Sequence, residues 1–435
     1  MENRKVDEFL LNYSDSYPID NCIDLYKFDD DSKIKIIDSL KNQDIADLLK
    51  VGNNTFRKSI LKILDSERLI QVFQNMKIDD IVDLIGLLKV NRRKDIFEVI
   101  DNTQFSSVKE LLGYKYDVAG GIMTSEYITL NQNMTLEEAY IKVCNIAPKS
   151  EVIEEIYITN DSNQMIGKIN IRDLLVPDRS AELSSVITTK IISVTPEVDQ
   201  EEVARLVSKY DLIAMPVVNA DNIVLGVITL DDVINVIYQE QSEDILNIGG
   251  VAQSNSVKAK AIPSIGQRLP WLLVNLGTVF FAAFVVSTFS NEIERFVALA
   301  MAMPIIAGMG GNSGNQVLAI TIRNLTFDDY YKDENFFWKL AKEILIGLVN
   351  GIILGGSAGF IIYLKYEKLA LSLIVGVAMI CNFIIANIAG LLIPTLLKKM
   401  KLDPAVGSSI LITAITDSFG FFILLSLAKY LIKYL

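Results

Sequence analysis

The chain of 435 residues contains no histidine and only three cysteines. Cys22, Cys144 and Cys381 are far apart and form no paired spacing, so neither a zinc site nor a disulfide framework is expected. Nucleophile–base pairs built on histidine are excluded. No P-loop or cluster of metal ligands stands in for them, which argues against an enzyme. A surplus of positive charge is also missing. The net charge is −12, whereas nucleic acid calls for basic patches. What remains, carboxylates and amides, suits hard oxygen-ligated cations such as Mg²⁺ or Ca²⁺. The N-terminal stretch from Met1 to Tyr13 is short and charged, unlike a signal peptide, so the first ~265 residues are expected to stay in the cytoplasm.

The charge is unevenly spread. From Gly266 onward there are 13 Lys and Arg against 10 Asp and Glu, while the residues before carry 28 against 43, or −15. The acidic part is therefore the soluble part. Apolar runs of spanning length, ~20 residues, begin only at Leu269. Five are expected: Leu269–Phe289, Arg295–Ile322, Ile344–Leu364, Leu369–Leu396 and Ala405–Leu431. The segment after the second carries Arg323, Lys332, Lys339 and Lys342, and that after the fourth carries Lys398, Lys399 and Lys401. The other connections hold fewer basic residues, Arg295 in one and Lys365 and Lys368 in the other. The richer side is expected to be cytoplasmic, which leaves the C-terminus, with Lys429 and Lys433, outside.

Residues 1 to 116 read as an acidic helical domain. Apolar residues recur at helical spacing in Ile34, Ile37 and Leu40 and in Ile45, Leu48 and Leu49, and the scarcity of Pro and Gly suggests a small helical superhelix. Residues 117 to 180 and 181 to 243 form an internal repeat. Ile156–Ile158 and Met165–Ile169 are β-rich runs split by the turn Asn160–Asn163, with a helical stretch from Ile171 to Leu175. Ala214–Val218, the turn Asn219–Asn222, Val224–Ile228 and a helix from Asp231 repeat that order. Met134–Glu138 and Val198–Glu202 mark the matching upstream elements. Each copy resembles a CBS domain, a β-α-β-β-α unit that commonly senses nucleotides or ions. Residues 244 to 267 read as a connecting helix, and 268 to 435 as the five-helix transmembrane domain.

The second span holds Pro304–Gln316, with glycines at Gly308, Gly310, Gly311 and Gly314 and amides at Asn312, Asn315 and Gln316. Irregular backbone at membrane depth is tolerated only where protein buries it or a cavity wets it. An interruption beside a polar path is therefore expected here. The other half of that path is Asp417, in the apolar run Ile410–Leu427. A carboxylate there costs ~2.5–3.5 kcal/mol to insert, which a cation offsets. Thr413, Thr416 and Ser418 supply hydroxyls close by. One carboxylate per chain is few for a Ca²⁺ cage but suits an ion held through its water shell, as Mg²⁺ is. Asn312, Asn315 and Ser409 can accept hydrogen bonds from that shell, and Gly311 and Thr413 are expected to line the path with them.

The order of superhelix, tandem CBS domains, connecting helix and five spans, with G-G-N-S-G-N-Q and T-D-S-F-G, closely resembles the MgtE family of Mg²⁺ channels. The resemblance covers essentially the whole chain. It implies a homodimer with a pore along the dimer axis, Asp417 as the central Mg²⁺ site and Asn315 lining the cytoplasmic end. It also implies regulatory Mg²⁺ between acidic faces, closing the pore when cellular Mg²⁺ is high. The matching positions are Asp79 and Asp83, then Asp199, Glu201, Asp211, Asp232, Glu240, Glu243 and Asp244. Asn235 departs from the pattern, which often has an acid there. Some relatives also bind ATP in the CBS pair; no such pocket is legible in this sequence. A Co²⁺ or Mn²⁺ transporter of the same fold, and a non-transporting sensor, are the alternatives.

Overall fold

The computed structural model describes residues 2–89, 111–147, 152–175, 181–251, 261–327 and 336–431, with isolated positions between them. The chain divides into two compact units, Met1–Ile237 and Tyr238–Leu435.

The first unit opens with seven short helices: α1 Glu2–Asn12, α2 Pro18–Leu25, α3 Asp30–Ser39, α4 Asn42–Val51, α5 Asn54–Ile63, α6 Ser66–Phe73 and α7 Ile78–Leu87. Short polar side chains start them. Asp29, Asn53 and Asp65 each accept a hydrogen bond from the backbone three residues on, at 3.1, 2.9 and 2.7 Å. Such caps satisfy amides that a helix start leaves open. Arginines close the other ends. Arg57 donates to Leu49 O and Lys50 O at the end of α4, both at 2.9 Å. Arg68 donates to Ile37 O at 2.8 Å and Leu40 O at 2.9 Å at the end of α3, and Arg92 reaches Leu61 O and Leu64 O at the end of α5. Ile36, Ile45, Leu48, Phe56, Ile60 and Leu69 pack without exposure inside this stack.

The repeat follows. In the first copy β1 Thr129–Asn131 pairs in parallel with β2 Glu155–Thr159, which pairs antiparallel with β3 Met165–Asn170; α8 Leu136–Ile146 lies between β1 and β2. In the second copy α9 Gln200–Tyr210 precedes the antiparallel pair β4 Ala214–Val218 and β5 Val224–Thr229. The repeat extends to single hydrogen bonds. Asn160 Oδ1 accepts from Ser162 N and Gln164 N at 3.0 and 2.9 Å, and Asn219 Oδ1 accepts from Asp221 N and Ile223 N at 3.0 and 2.9 Å. Asn163 and Asn222 both take φ of 61°, a left-handed corner that asparagine tolerates. The expected helix over Ile171–Leu175 is a 3₁₀ turn, Ile171–Leu174.

From Leu230 a single helix, α10 Leu230–Ile248, leaves the second copy and ends at Gly249–Gly250, where Gly250 takes φ of 66°. The expected connecting helix over 244–267 is thus divided: its start is the last turn of α10, and its end opens the first spanning helix. Residues 252–260, between them, lie outside the described residues, as do Lys332 and Lys433.

Among the described residues the membrane-length helices number five: α11 Ala261–Ser287, α12 Val297–Phe327, α13 Phe336–Tyr366, α14 Leu369–Lys399 and α15 Ser408–Leu431. One expectation is overturned. The glycine-rich stretch does not interrupt the second span; α12 runs as one α-helix through Gly308–Gly314. Two of its glycines, Gly310 and Gly314, serve close packing instead. A Cβ on Gly310 would overlap the Asn382 side chain, and one on Gly314 would lie 2.5 Å from Ile412 Cγ2. The same device joins α13 to α14. Gly347, Gly351, Gly355 and Gly359 recur every fourth residue, and Cβ atoms on them would lie 3.0 Å from Phe383 O, 2.8 Å from Ile380 Cα, 2.7 Å from Gly376 O and 2.9 Å from Ser372 O.

Candidate ion path and acidic clusters

Two helices bring most of the expected membrane residues together. On α15, Ser409, Thr413 and Asp417 are spaced by four and share one face. Ser409 Oγ donates to Asn315 Oδ1 of α12 at 3.0 Å. Gly311 lies one turn away on α12, where a Cβ would stand 3.7 Å from Thr413 Cγ2 and 3.8 Å from Thr416 Oγ1. The hydroxyls of Thr413 and Thr416 are turned onto their own helix, to Ser409 O and Thr413 O, both at 3.1 Å. Asp417 is half-buried near the middle of α15, and no described side chain bonds to it or opposes its charge. Asn312 is not brought to this face; it is exposed on the side of α12 away from Ser313 and Gly314, which are buried.

The soluble acids fall into two clusters and a scattered remainder. The first cluster centres on α7. Asp79 and Asp80 are half-buried, and burial pushes both carboxyls up. Asp79 Oδ1 is buried with no hydrogen-bond partner. Across from α7, burial pushes Asp232 up to about 6, and repulsion from Asp79, Asp231 and Asp80 adds to it against the lowering effect of the Thr229 hydroxyl. That hydroxyl donates to Asp232 Oδ2 at 2.6 Å. Glu126 is raised by burial and by Asp79. Asp83 stands at the exposed edge, 3.4 Å from Arg57.

The second cluster joins the end of α10 to the connection between α14 and α15. Asp244 is pushed up to about 6 by burial, then by Asp403, Glu240 and Glu243. Asn247 Nδ2 donates to Asp403 Oδ2 at 2.8 Å. The remainder stay apart and exposed at the ends of α9. Asp199 caps that helix by accepting from Glu201 N at 2.8 Å, and Asp211 closes it with φ of 51°. Sequence reasoning missed Asp80, Glu126 and Asp403. Asp80 and Asp403 carried faint signals, a doubled Asp and an Asp-Pro corner; Glu126 carried none. Among the described residues no three Asp, Glu or Cys side chains converge closely enough to enclose a metal ion. Paired carboxylates with an orphaned oxygen still fit an ion that keeps part of its water shell.

Comparison with known proteins decides the family. Residues 303–427 match the divalent cation transporter domain of MgtE, 20–117 match the MgtE intracellular N domain, and 183–239 match a CBS domain. The magnesium transporter MgtE of Enterococcus faecalis is 34% identical over 327 residues, covering 75% of this chain and 72% of the relative. The chain belongs to the MgtE family. The Thermus thermophilus magnesium transporter MgtE is 33% identical over 332 residues, 75% of this chain and 73% of its own length. A crystal structure of the soluble part of a magnesium transporter aligns over 55% of this chain and 94% of its own, at 28% identity and a TM-score of 0.49. MgtE proteins are transporters or channels of Mg²⁺, not enzymes. This member has the family's architecture: an N domain, CBS repeats and five membrane-length helices.

Proposed function

We propose that the chain is a Mg²⁺-selective channel of the cell membrane, working as a homodimer and closed by Mg²⁺ on its cytosolic side. Asp417 carries the reading: it is an intramembrane carboxylate with no partner among the described residues, in line with Thr413 and Ser409, which meet Gly311 and Asn315 of α12. Two such faces about a common axis put two carboxylates at one pore. Their repulsion is relieved when the substrate, a hydrated divalent ion, stands between them. Asn315 and Ser409 receive its water shell. The basic connections of the membrane unit orient the N-terminal domains to the cytoplasm and the C-terminus outward.

The soluble acids provide the sensor. Asp79, Asp80, Asp83, Glu126 and Asp232 form one arm and Glu240, Glu243, Asp244 and Asp403 the other. Asp199, Glu201 and Asp211, exposed at the ends of α9, are further ligands for the regulatory ion. Bound Mg²⁺ supplies positive charge between these carboxylates. The carboxylates then draw together instead of repelling, and the compact, closed form is favoured by the ion's differential affinity for it. Several sites acting together reach the ~5.5 kcal/mol that swings a population from mostly open to mostly closed. A cytosolic domain of the channel MgtE has been solved with ATP; ATP at the CBS pair would be a second regulator, measurable by calorimetric titration.

Mg²⁺ flux into proteoliposomes tests the reading, with Mg²⁺ on the cytosolic face varied. The native chain is expected to conduct, to slow as that Mg²⁺ rises, and to lose flux in Asp417→Ala. Normal flux in that variant would sink the pore assignment, and flux indifferent to cytosolic Mg²⁺ would remove the sensor. Co²⁺ or Mn²⁺ carried in preference to Mg²⁺ would favour a broader divalent transporter.

A further inference from the structure

The ion path leaves Glu343 of α13 unused. Glu343 is half-buried in the first turns of α13, next to the exposed Lys342. It is tied to the glycine-rich motif through a third helix. Asn387 of α14 is 1% exposed, and its Nδ2 donates to Glu343 O at 3.1 Å and to Glu343 Oε2 at 3.4 Å. Its Oδ1 accepts from Ser313 Oγ at 2.6 Å, and Ser313 is 6% exposed. Ser313 is the serine of G-G-N-S-G-N-Q.

The chain of bonds has a direction. A carboxamide has a donor end and an acceptor end, while a carboxylate and a carbonyl only accept. The two Glu343 oxygens draw the NH₂ of Asn387 toward α13. Oδ1 must then face α12, and the Ser313 hydroxyl must donate to it. That hydroxyl is thereby withheld from its own helix; Thr321, two turns on, instead bonds back to Val317 O at 2.7 Å. Side chains advance about 100° per residue around a helix, so the positions two before and two after Ser313 both lie roughly 160° from it. They are Gly311 and Asn315. Holding Ser313 against α14 turns both of them toward Thr413 and Ser409 of α15, where they are found.

We propose that Glu343 is a positioning residue for conduction: through Asn387 and Ser313 it sets the rotation of α12 and so the ion-facing edge of the path. The proposal rests on the reading of α12 and α15 as that path.

The test is Mg²⁺ flux in proteoliposomes for the native chain, Glu343→Ala, Glu343→Gln, Ser313→Ala and the Glu343→Ala/Ser313→Ala double variant, with thermal unfolding followed alongside. Glu343→Ala and Ser313→Ala are each expected to lower flux by about tenfold, the range seen when an outer-shell support is removed. Glu343→Gln keeps the side-chain acceptor for Asn387, which Glu343→Ala removes, and is expected to stay within about twofold. The double variant is expected to lose no more than the worse single, since both act through one chain. A double loss equal to the product of the singles, or native flux in Glu343→Ala, overturns the proposal. If Glu343→Ala unfolds early, the other two singles carry the test: Ser313→Ala at native flux, or Glu343→Gln as poor as Ser313→Ala, overturns it. A native chain that carries no Mg²⁺ overturns the channel reading and this proposal together, whereas a conducting native chain with an indifferent relay overturns only the latter.

Discussion

Asp232 holds its proton about two pH units longer in the folded chain than a free aspartate does, since burial and the facing α7 carboxylates lift it to about 6. Between the unfolded value near 4 and the folded value near 6, the folded chain binds more protons, so stability falls as pH rises through that window and levels off above it. Asp244 adds a drop of the same sign. In chelator at pH 7.5, Asp232→Asn is therefore expected to unfold at a higher temperature than the native chain, with the difference gone near pH 4. The shift is roughly 2–4 °C for each kcal/mol of repulsion relieved in a unit of this size. Fluorescence-monitored melting of the full chain at the two pH values checks it, and a lower melting point for Asp232→Asn at pH 7.5 would contradict it. The same titration acts on the sensor. Below pH 6 protons compete for Asp232 and Asp244, so flux is expected to need more cytosolic Mg²⁺ for closure at pH 5.5 than at pH 7.5. A half-closing concentration that does not move would dissociate both residues from gating.

At the scale of elements, α13 and α14 form the tightest pair, since four glycines of α13 lie against α14 backbone atoms. Filling one of those positions forces two helices apart, and overpacking of this kind costs about 1–3 kcal/mol. Gly351→Leu is expected to lower the unfolding temperature clearly. Gly356→Ala on the same helix meets nothing within 4 Å and is expected to be neutral or stabilising, by up to about 1 kcal/mol, because alanine favours the helix. Equal effects of the two would show that the glycines act through backbone flexibility. Packing and flexibility look alike in a string of letters, and this is where the sequence misled. The run Gly308–Gly314 reads equally as a broken helix and as a packing surface. The deciding facts are the partners, Asn382 and Ile412, which lie 72 and 98 residues beyond Gly310 and Gly314 in the chain. The four-residue period of Gly310 and Gly314, repeated in α13, was the available signal. Asp417 was legible because a lone carboxylate in an apolar run is conspicuous without any partner. The turns of the CBS repeat were legible because their hydrogen bonds close within four residues. Glu126 and the arginine caps of the superhelix were not, since their meaning lies in contacts across distant helices.

At the scale of the whole molecule, the uneven charge makes a statement that no single site does. The residues before Gly266 carry −15, and carboxylates held above their usual range by burial and then by one another carry part of that self-repulsion at particular places. Monovalent salt screens such repulsion over about 10 Å at 0.1 M but does not bridge two carboxylates. A divalent ion does both. Limited proteolysis of the full-length protein separates the two effects. At matched ionic strength, millimolar Mg²⁺ is expected to slow cleavage within residues 1–250 several-fold relative to Na⁺ with chelator, and the protection is expected to shrink in a variant carrying Asp79→Asn, Asp80→Asn and Asp232→Asn together. Because those changes also relieve repulsion, the same variant is expected to be the more resistant of the two in Na⁺. That crossing pattern distinguishes bridging from general loosening, since a merely damaged fold is cleaved faster in both media. Equal protection by Na⁺ and Mg²⁺ in the native chain would reduce the sensor to screening and leave the pore, with Asp417, as the ion's one specific site.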